Sequence, residues 1–468
     1  MTTVCVRHAL LSSVALLMLV QGASAMPLRE AVQIAMESNP EIGQAIQNHD
    51  ATGFELRQAL GLYAPRVDLE ASAGIQRLDS GSRRSLGIAG DALYPAQVGV
   101  VATLDLFDGG FRDAEVALQS ARVDSASYRV LERSEFIALQ IVRVYYQVLL
   151  QQHIVGLARE NAAFHETMAS DVAAAIDSGQ LTEADRFQSI ERVAAARARL
   201  TEAGVELAAA QIEFKTLVGM MPGAVNAPPR ASRAIGDSLE IAIAKAIINN
   251  PRMLTAGADI DAASALVDQA QSAFAPKLSL EGRVATGYDI SGASGVTNDA
   301  SMRVSLRWNI FDGGIKDAQF QEEIRRESET KLVFDQTVRE VEQAVRESWL
   351  RLKSQGELAN VYQQQLSSSS ELIASYREQF NIGDRSLLDV LDAQNTRFNV
   401  QVLQQTAQYS VMFAEYRVLA VSGDLLSFMG VAPHPTAIAD TRAATNTPSW
   451  ENAKPRVRQP LNIPTYGN

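Results

Sequence analysis

The chain has 468 residues, enough for two or three ordinary domains. Its 42 Lys and Arg against 54 Asp and Glu leave a formal charge of −12, which argues against a basic nucleic-acid-binding surface. A hydrophobic content of 47% excludes disorder along the whole length.

Residues 1–25 read as a secretory signal peptide. Arg7 and His8 precede the apolar run Ala9 to Val20, and Ala23-Ser24-Ala25 supplies a small-x-small cleavage site before Met26. The only cysteine, Cys5, falls inside this segment. The expected mature chain therefore has no disulfide, cysteine-metal site, cysteine nucleophile or lipid-anchor cysteine. No later stretch holds 18 consecutive apolar residues, so membrane residence requires a β-barrel.

The rest is written twice. "LREAVQIAMESNPEI" from Leu28 realigns with "LEIAIAKAIINNPRM" from Leu239 at an offset of 211, which also pairs Ala64-Pro65 with Ala275-Pro276. The offset then becomes 204 and pairs two Phe-Asp-Gly-Gly sites, 107–110 and 311–314. The expected organisation is repeat 1 over 26–230, repeat 2 over 231–430, and an irregular, proline-rich tail over 431–468.

Each repeat opens with helical stretches, 28–38 and 41–62 or 239–249 and 252–273, that end at Ala-Pro. Period-two alternation follows and predicts strands at about 66–77 and 97–107, then 277–288 and 300–311. In the first, Val67, Leu69, Ala71 and Ala73 oppose Arg66, Asp68, Glu70 and Ser72. In the third, Leu278, Leu280 and Val284 oppose Lys277, Ser279, Glu281 and Arg283. Ten-residue alternation with Tyr63, Tyr94, Phe107, Phe274, Trp308 and Phe311 at strand ends fits strands between lipid and water. A soluble sheet would need a second sheet over its apolar face, and the chain offers none.

After each Phe-Asp-Gly-Gly, residues 111–177 and 315–381 hold no proline and one glycine apiece. Some 67 residues of helix would reach roughly 100 Å and pack as a coiled coil. Each then turns, through "DSGQLTEAD" or "NIGDRSLLD", into a returning helix, so long helices are expected over 111–218 and 315–422. Phe107, Asp108, Gly109 and Gly110, like Phe311, Asp312, Gly313 and Gly314, form a joint between strand and helix. The aspartates are placed to cap, and the glycines allow the change of direction. At the turns, Thr182 with Asp185 and Ser386 with Asp389 read as capping boxes.

Four spanning strands cannot close a barrel, so the chain must oligomerise. A dimer gives eight strands and a filled lumen, whereas a trimer gives twelve and room for water, which suits the charged inner face. The order of elements, the duplication, the paired joints, "SGQLTEAD" and "IGDRSLLDVLDAQ" together resemble the TolC family of outer-membrane channel-tunnels. The likeness covers nearly all of the chain between residue 26 and the tail.

That resemblance implies a mainly α fold with a transmembrane β-barrel: a homotrimer with a twelve-strand barrel in outer-membrane lipid and a twelve-helix periplasmic tunnel. It implies docking to a periplasmic adaptor and to an inner-membrane ABC exporter or antiporter-type pump. Its pattern places Arg385, Asp389, Asp392 and, in the first repeat, Asp185 at the periplasmic entrance. Capping alone would also explain Asp185 and Asp389; Asp392 lies one turn further in and has no capping duty. Phe380 stands where the family carries an aromatic hydroxyl that holds the tip shut, so the closing contacts must differ here. Gly179, Gln180, Leu181 and Thr182, with Gly383, Asp384 and Ser386, resemble adaptor-docking turns and would otherwise be simple tight turns. "LDVLDAQNTRFNVQ" leans the resemblance toward type I protein secretion over drug efflux.

A periplasmic adaptor, the competing class, would carry one helical hairpin and usually an anchor. An enzyme is disfavoured. His153 and His165 are expected to be lone, solvated residues without metalloprotease spacing, and no phosphate loop occurs. No catalytic residue, metal or cofactor is expected.

Overall fold

The structure, a computed structural model, describes residues 26–290, 294–452 and 455–461; the expected signal peptide lies outside the described residues. In chain order the elements are α1 (Leu28–Ser38), α2 (Pro40–Gly61), β1 (Arg66–Ala73), β2 (Gln76–Arg77), α3 (Gly81–Ser85), β3 (Ala92–Leu93), β4 (Ala96–Phe107), α4 (Phe111–Asp177) and α5 (Glu183–Val218). There follow α6 (Leu239–Asn249), α7 (Pro251–Ser272), β5 (Lys277–Tyr288), β6 (Val296–Arg307), α8 (Ile315–Asn381), α9 (Leu387–Val421), α10 (Leu425–Met429), a 3-10 turn (Pro435–Ala437), α11 (Thr441–Ala444) and a last 3-10 turn (Trp450–Asn452). None of the described helices is long and apolar enough to cross a membrane.

Two compact units result, and neither is a sequence repeat. Of the described residues, one takes those from 26 to 39, 135–242 and 345–432; the other takes those within 40–134, 243–344 and 433–461. Each draws on both repeats because α4 and α8 run from one unit into the other.

In the second unit the antiparallel sheet has the order β1-β4-β5-β6. The alternation becomes two chemically distinct faces. Leu69, Val100, Val284 and Ala300 form one row, and Arg66, Thr103, Glu281 and Arg303 another. On the polar face Arg303 reaches Glu281 at 2.7 Å, and Arg283 lies 3.7 Å from Glu70. On the apolar face Leu69 and Met302 are 74% and 79% exposed, a solvent contact that only lipid would make favourable.

Two strand boundaries differ from expectation. β6 runs four residues earlier than 300–311, because its partner β5 begins at Lys277, opposite Arg307. β1 ends at Ala73; Gln76 and Arg77 pair instead with Leu93 and Ala92 in a separate hairpin that encloses α3.

An irregular tail is expected over 431–468; the described residues from 433 on are docked within the same unit. Arg442 bridges two buried carboxylates, Asp124 at 2.7 Å and Asp261. Arg456 pairs with Asp268 and Glu327, and Trp450 packs on Phe334.

In the first unit the helices bury apolar seams, including Tyr145, Phe214, Leu391 and Tyr416. The connection after α5 is tied down by Arg230, whose Nε lies 3.0 Å from the buried Glu415 carboxylate, and by the Tyr416 hydroxyl, which donates to Pro229 O at 2.7 Å. Glu135 is buried beside α10, where one carboxylate oxygen accepts the Leu426 N–H at 3.2 Å. Burial pushes this carboxyl up to about 8; the Leu426 N–H opposes the shift and Asp424 adds to it. The folded state therefore holds a proton that the unfolded chain has released. Stability is full below the unfolded value and is lost as pH rises toward the folded one. Thermal unfolding scanned from about pH 5 to about 8 should show the parent protein losing stability relative to Glu135→Gln, which keeps an acceptor for Leu426. Parallel curves would show that Glu135 is ionised in the fold.

Candidate functional site

The two helical-hairpin tips lie together in the first unit. At each, the helix ends in a glycine with left-handed backbone, Gly179 at φ 78° and Gly383 at φ 80°. Gln180 N–H returns to Ala175 O at 2.9 Å, and Asp384 N–H to Gln379 O at 2.9 Å. Gly179 and Gly383 bond to Ile176 O and Phe380 O, completing a Schellman closure at both tips.

The returning helices begin differently. Asp185 accepts both the Thr182 N–H at 2.9 Å and the Thr182 hydroxyl at 2.7 Å. Those two bonds hold its carboxyl below the usual range. Asp389 accepts the Ser386 hydroxyl at 2.8 Å, while the Ser386 oxygen accepts the Asp389 N–H at 3.2 Å. Both aspartates thus have a capping role in the fold.

Asp392 does not cap. Its carboxylate takes a hydrogen bond from Arg192 of α5 at 3.0 Å, and both side chains remain partly exposed. Arg385 stays on its own hairpin: it stacks over Tyr376 at 4.4 Å, donates to Gln379 at 3.0 Å and lies 3.9 Å from Asp389. Phe380, unable to hydrogen-bond, packs with Leu181 and Tyr376 against Met168, Val172, Ile373 and Leu387. Between the tips is a cleft of about 600 Å³, with Gln180, Leu181, Phe380, Gly383 and Arg385 in its wall. Thr182, Asp384 and Ser386 are exposed.

Reading the sequence missed Arg192 and Tyr376. Their partners are distant in the chain or a turn away, so no local motif marks them. One of the two histidines corrects an expectation. His165 is 4% exposed, and burial, then Arg192, lowers its pKa. His153 bonds to the Tyr409 hydroxyl at 2.7 Å. His165 lies in the packed seam and is shielded by its neighbours, whereas His153 is exposed.

The strand–helix joints lie in the second unit. Asp108 accepts the N–H groups of Gly110 at 3.1 Å and Arg112 at 3.2 Å. Asp312 accepts those of Gly314, Ile315 and Lys316 at 3.1–3.2 Å. Gly109, Gly110, Gly313 and Gly314 all have φ between 73° and 91°, a turn that side chains resist. Asp108 is buried, whereas Phe311 is 86% exposed.

A lipid-compatible sheet continuous in sequence with long helical hairpins defines a membrane channel protein. The family description "Outer membrane efflux protein" matches residues 31–220 and 242–424, and the chain belongs to that family. Its place is the outer membrane of a Gram-negative bacterium. It is 25% identical to the outer membrane efflux protein BepC of Brucella suis, over 70% of this chain and 72% of that one. It is also 25% identical to the alkaline protease secretion protein AprF of Pseudomonas aeruginosa, over 88% and 87%. Its fold superposes on the crystal structure of the Campylobacter jejuni CmeC outer membrane channel with a TM-score of 0.72 at 15% identity, covering 91% and 90% of the two chains.

Proposed function

We propose that the chain is a trimeric, passive exit duct of a type I protein secretion system, opened at its periplasmic tip by an adaptor and an inner-membrane ABC exporter. The observation that carries this reading is the four-stranded sheet with two open edges and an apolar face, joined twice to long helical hairpins. Three copies would complete a twelve-strand barrel and a helical tunnel beneath it. Similarity to AprF over most of both chains supports protein as cargo. Similarity to BepC supports the second reading, small-molecule efflux with an antiporter-type pump.

The entrance would be formed by Asp392, with Arg385, Asp389, Asp185 and Phe380 around it. Gly179 to Thr182, with Gly383, Asp384 and Ser386, would form the adaptor-docking turns. Deleting the gene should remove at least one protein from the culture medium and leave it in the cell. If every exported protein still reaches the medium while sensitivity to dyes and detergents rises, efflux replaces secretion.

A further inference from the structure

The two hairpins of the sheet carry different charge at the same rung. Adding 211 in β1 and 204 in β4 turns the pair Arg66–Thr103 into Lys277–Arg307. In the first hairpin the single cation is neutralised: Arg66 Nε lies 2.8 Å from the Asp68 carboxylate and stands opposite a threonine. In the second, Ser279 replaces that aspartate and Arg307 replaces the threonine. Two cations then stand directly across neighbouring strands, which is destabilising without a counter-charge.

The other strand cations of the polar face are all paired. Arg66, Arg283 and Arg303 each have a carboxylate at 2.7–3.7 Å, whereas neither Lys277 nor Arg307 has one among the described residues. Beside this rung the foot of the sheet, α7 and α8 frame a cavity of about 670 Å³, with Lys277, Arg307 and Lys316 in its wall. Lys316 Nζ donates to Asn309 O at 2.8 Å, which orients the ammonium and leaves two of its three donors for a ligand. Lys277 lies over the Phe111 ring at 5.3 Å, which steadies its stem. Two acids also line the cavity, Glu322 and Glu323, but they sit up to two turns further along α8, about 10 Å from Lys316 along the axis. Glu322 is engaged there by Arg326 at 2.7 Å. The tail does not fill this space. It binds other positions on the same helices, where Arg456 reaches Asp268 at 2.7 Å and Gln321 donates to Val457 O at 3.2 Å.

We propose that Lys277, Arg307 and Lys316 form a binding site for a phosphate-sized oxyanion at the foot of the sheet. Arg307 supplies a planar fork of donors and the two lysines supply compact charges, a set suited to charge-assisted bonds with several oxygens of one anion. The anion does for the second hairpin what the Asp68 carboxylate does for the first: it neutralises the rung. The cavity has room for the anion together with its remaining hydration shell, or for a larger solute that carries it. All three residues belong to one chain, so binding does not depend on the trimeric-channel reading. Under that reading, three such sites would line the lumen, and an anionic solute would meet them on its way through the barrel.

Calorimetric titration of the detergent-purified protein with inorganic phosphate should show one saturable site per chain, absent when chloride is added at matched ionic strength. Lys277→Gln and Arg307→Gln should each weaken binding by about 10- to 100-fold, the loss of one charge-assisted bond. Arg307→Glu separates binding from folding, because it sets an opposite charge across from Lys277. Its melting temperature without phosphate should be no lower than that of the parent, while phosphate binding disappears. Phosphate should raise the melting temperature of the parent and leave that of Arg307→Glu unchanged. A phosphate titration no different from chloride would overturn the site, and so would full phosphate affinity in Arg307→Glu. Light scattering on the same sample reads the oligomeric state, so a failure of the trimer would be seen separately from a failure of the anion site.

Discussion

Replacing Arg442 with alanine should destabilise the second unit by about 3–5 kcal/mol, because removing one partner leaves buried charge uncompensated. Asp124 and Asp261 are 1% and 5% exposed, so neither can turn to water. The guanidinium donates to Asp124 Oδ2 at 2.7 Å and to Asp261, and it stacks over Tyr128 at 5.9 Å. Backbone N–H groups complete the site: Thr441 and Arg442 donate to Asp124 at 2.9 and 3.2 Å, and Trp450 to Asp261 at 2.7 Å. Those bonds persist in the variant, but they cannot neutralise two carboxylates. In a domain of this size the cost corresponds to roughly 10 °C in melting temperature. Circular dichroism melts in detergent would measure it. Adding Asp124→Asn and Asp261→Asn should recover part of the loss, since neutral amides remove the repulsion while keeping acceptors. An unchanged melting temperature for Arg442→Ala would show that the tail is not held by this site.

Asp392→Ala should leave the fold intact and change conduction. Its pair with Arg192 is half exposed, and such pairs contribute only about 0–1 kcal/mol. The repeat places Gln188 at the matching position of the first hairpin, so a trimer would present three Asp392 carboxylates and no equivalent set. In the proposed entrance these would draw cations and hold divalent ions in the narrowest part. Reversal potentials in planar bilayers should then show a weakened cation preference, and block by added divalent cations should fade. Arg192→Ala should act the opposite way, because it frees the same carboxylate. Unchanged selectivity and block in Asp392→Ala would remove that residue from the entrance.

Much of the fold was legible because its signals are local and doubled. Period-two alternation before each Phe-Asp-Gly-Gly and unbroken helical sequence after it locate the joint without tertiary information. Asp108 and Asp312 cap as their spacing implies, since a cap acts only on N–H groups a few residues away. The same locality made the tip glycines and the capping roles of Asp185 and Asp389 readable.

Contacts between residues far apart in sequence were not readable. Arg192 reaches Asp392 across 200 positions, and His165 is buried by helices that follow it much later. The tail shows the same limit: its prolines predict irregular backbone, but nothing local announces that Arg442 will enter a pocket between Asp124 and Asp261. Strand ends are also a property of partners. Alternation marks which residues suit a strand between lipid and water, and the sequence carries that pattern through Phe311. Hydrogen bonding within one chain ends β6 at Arg307, because a β-ladder extends only as far as its neighbour does. The sequence alone therefore determined the class of protein, its duplication and its joints, all consequences of side-chain periodicity and local capping. Tertiary structure alone decided the ion pairs, the burial of His165 and the docked tail, since burial depends on which distant segments pack together.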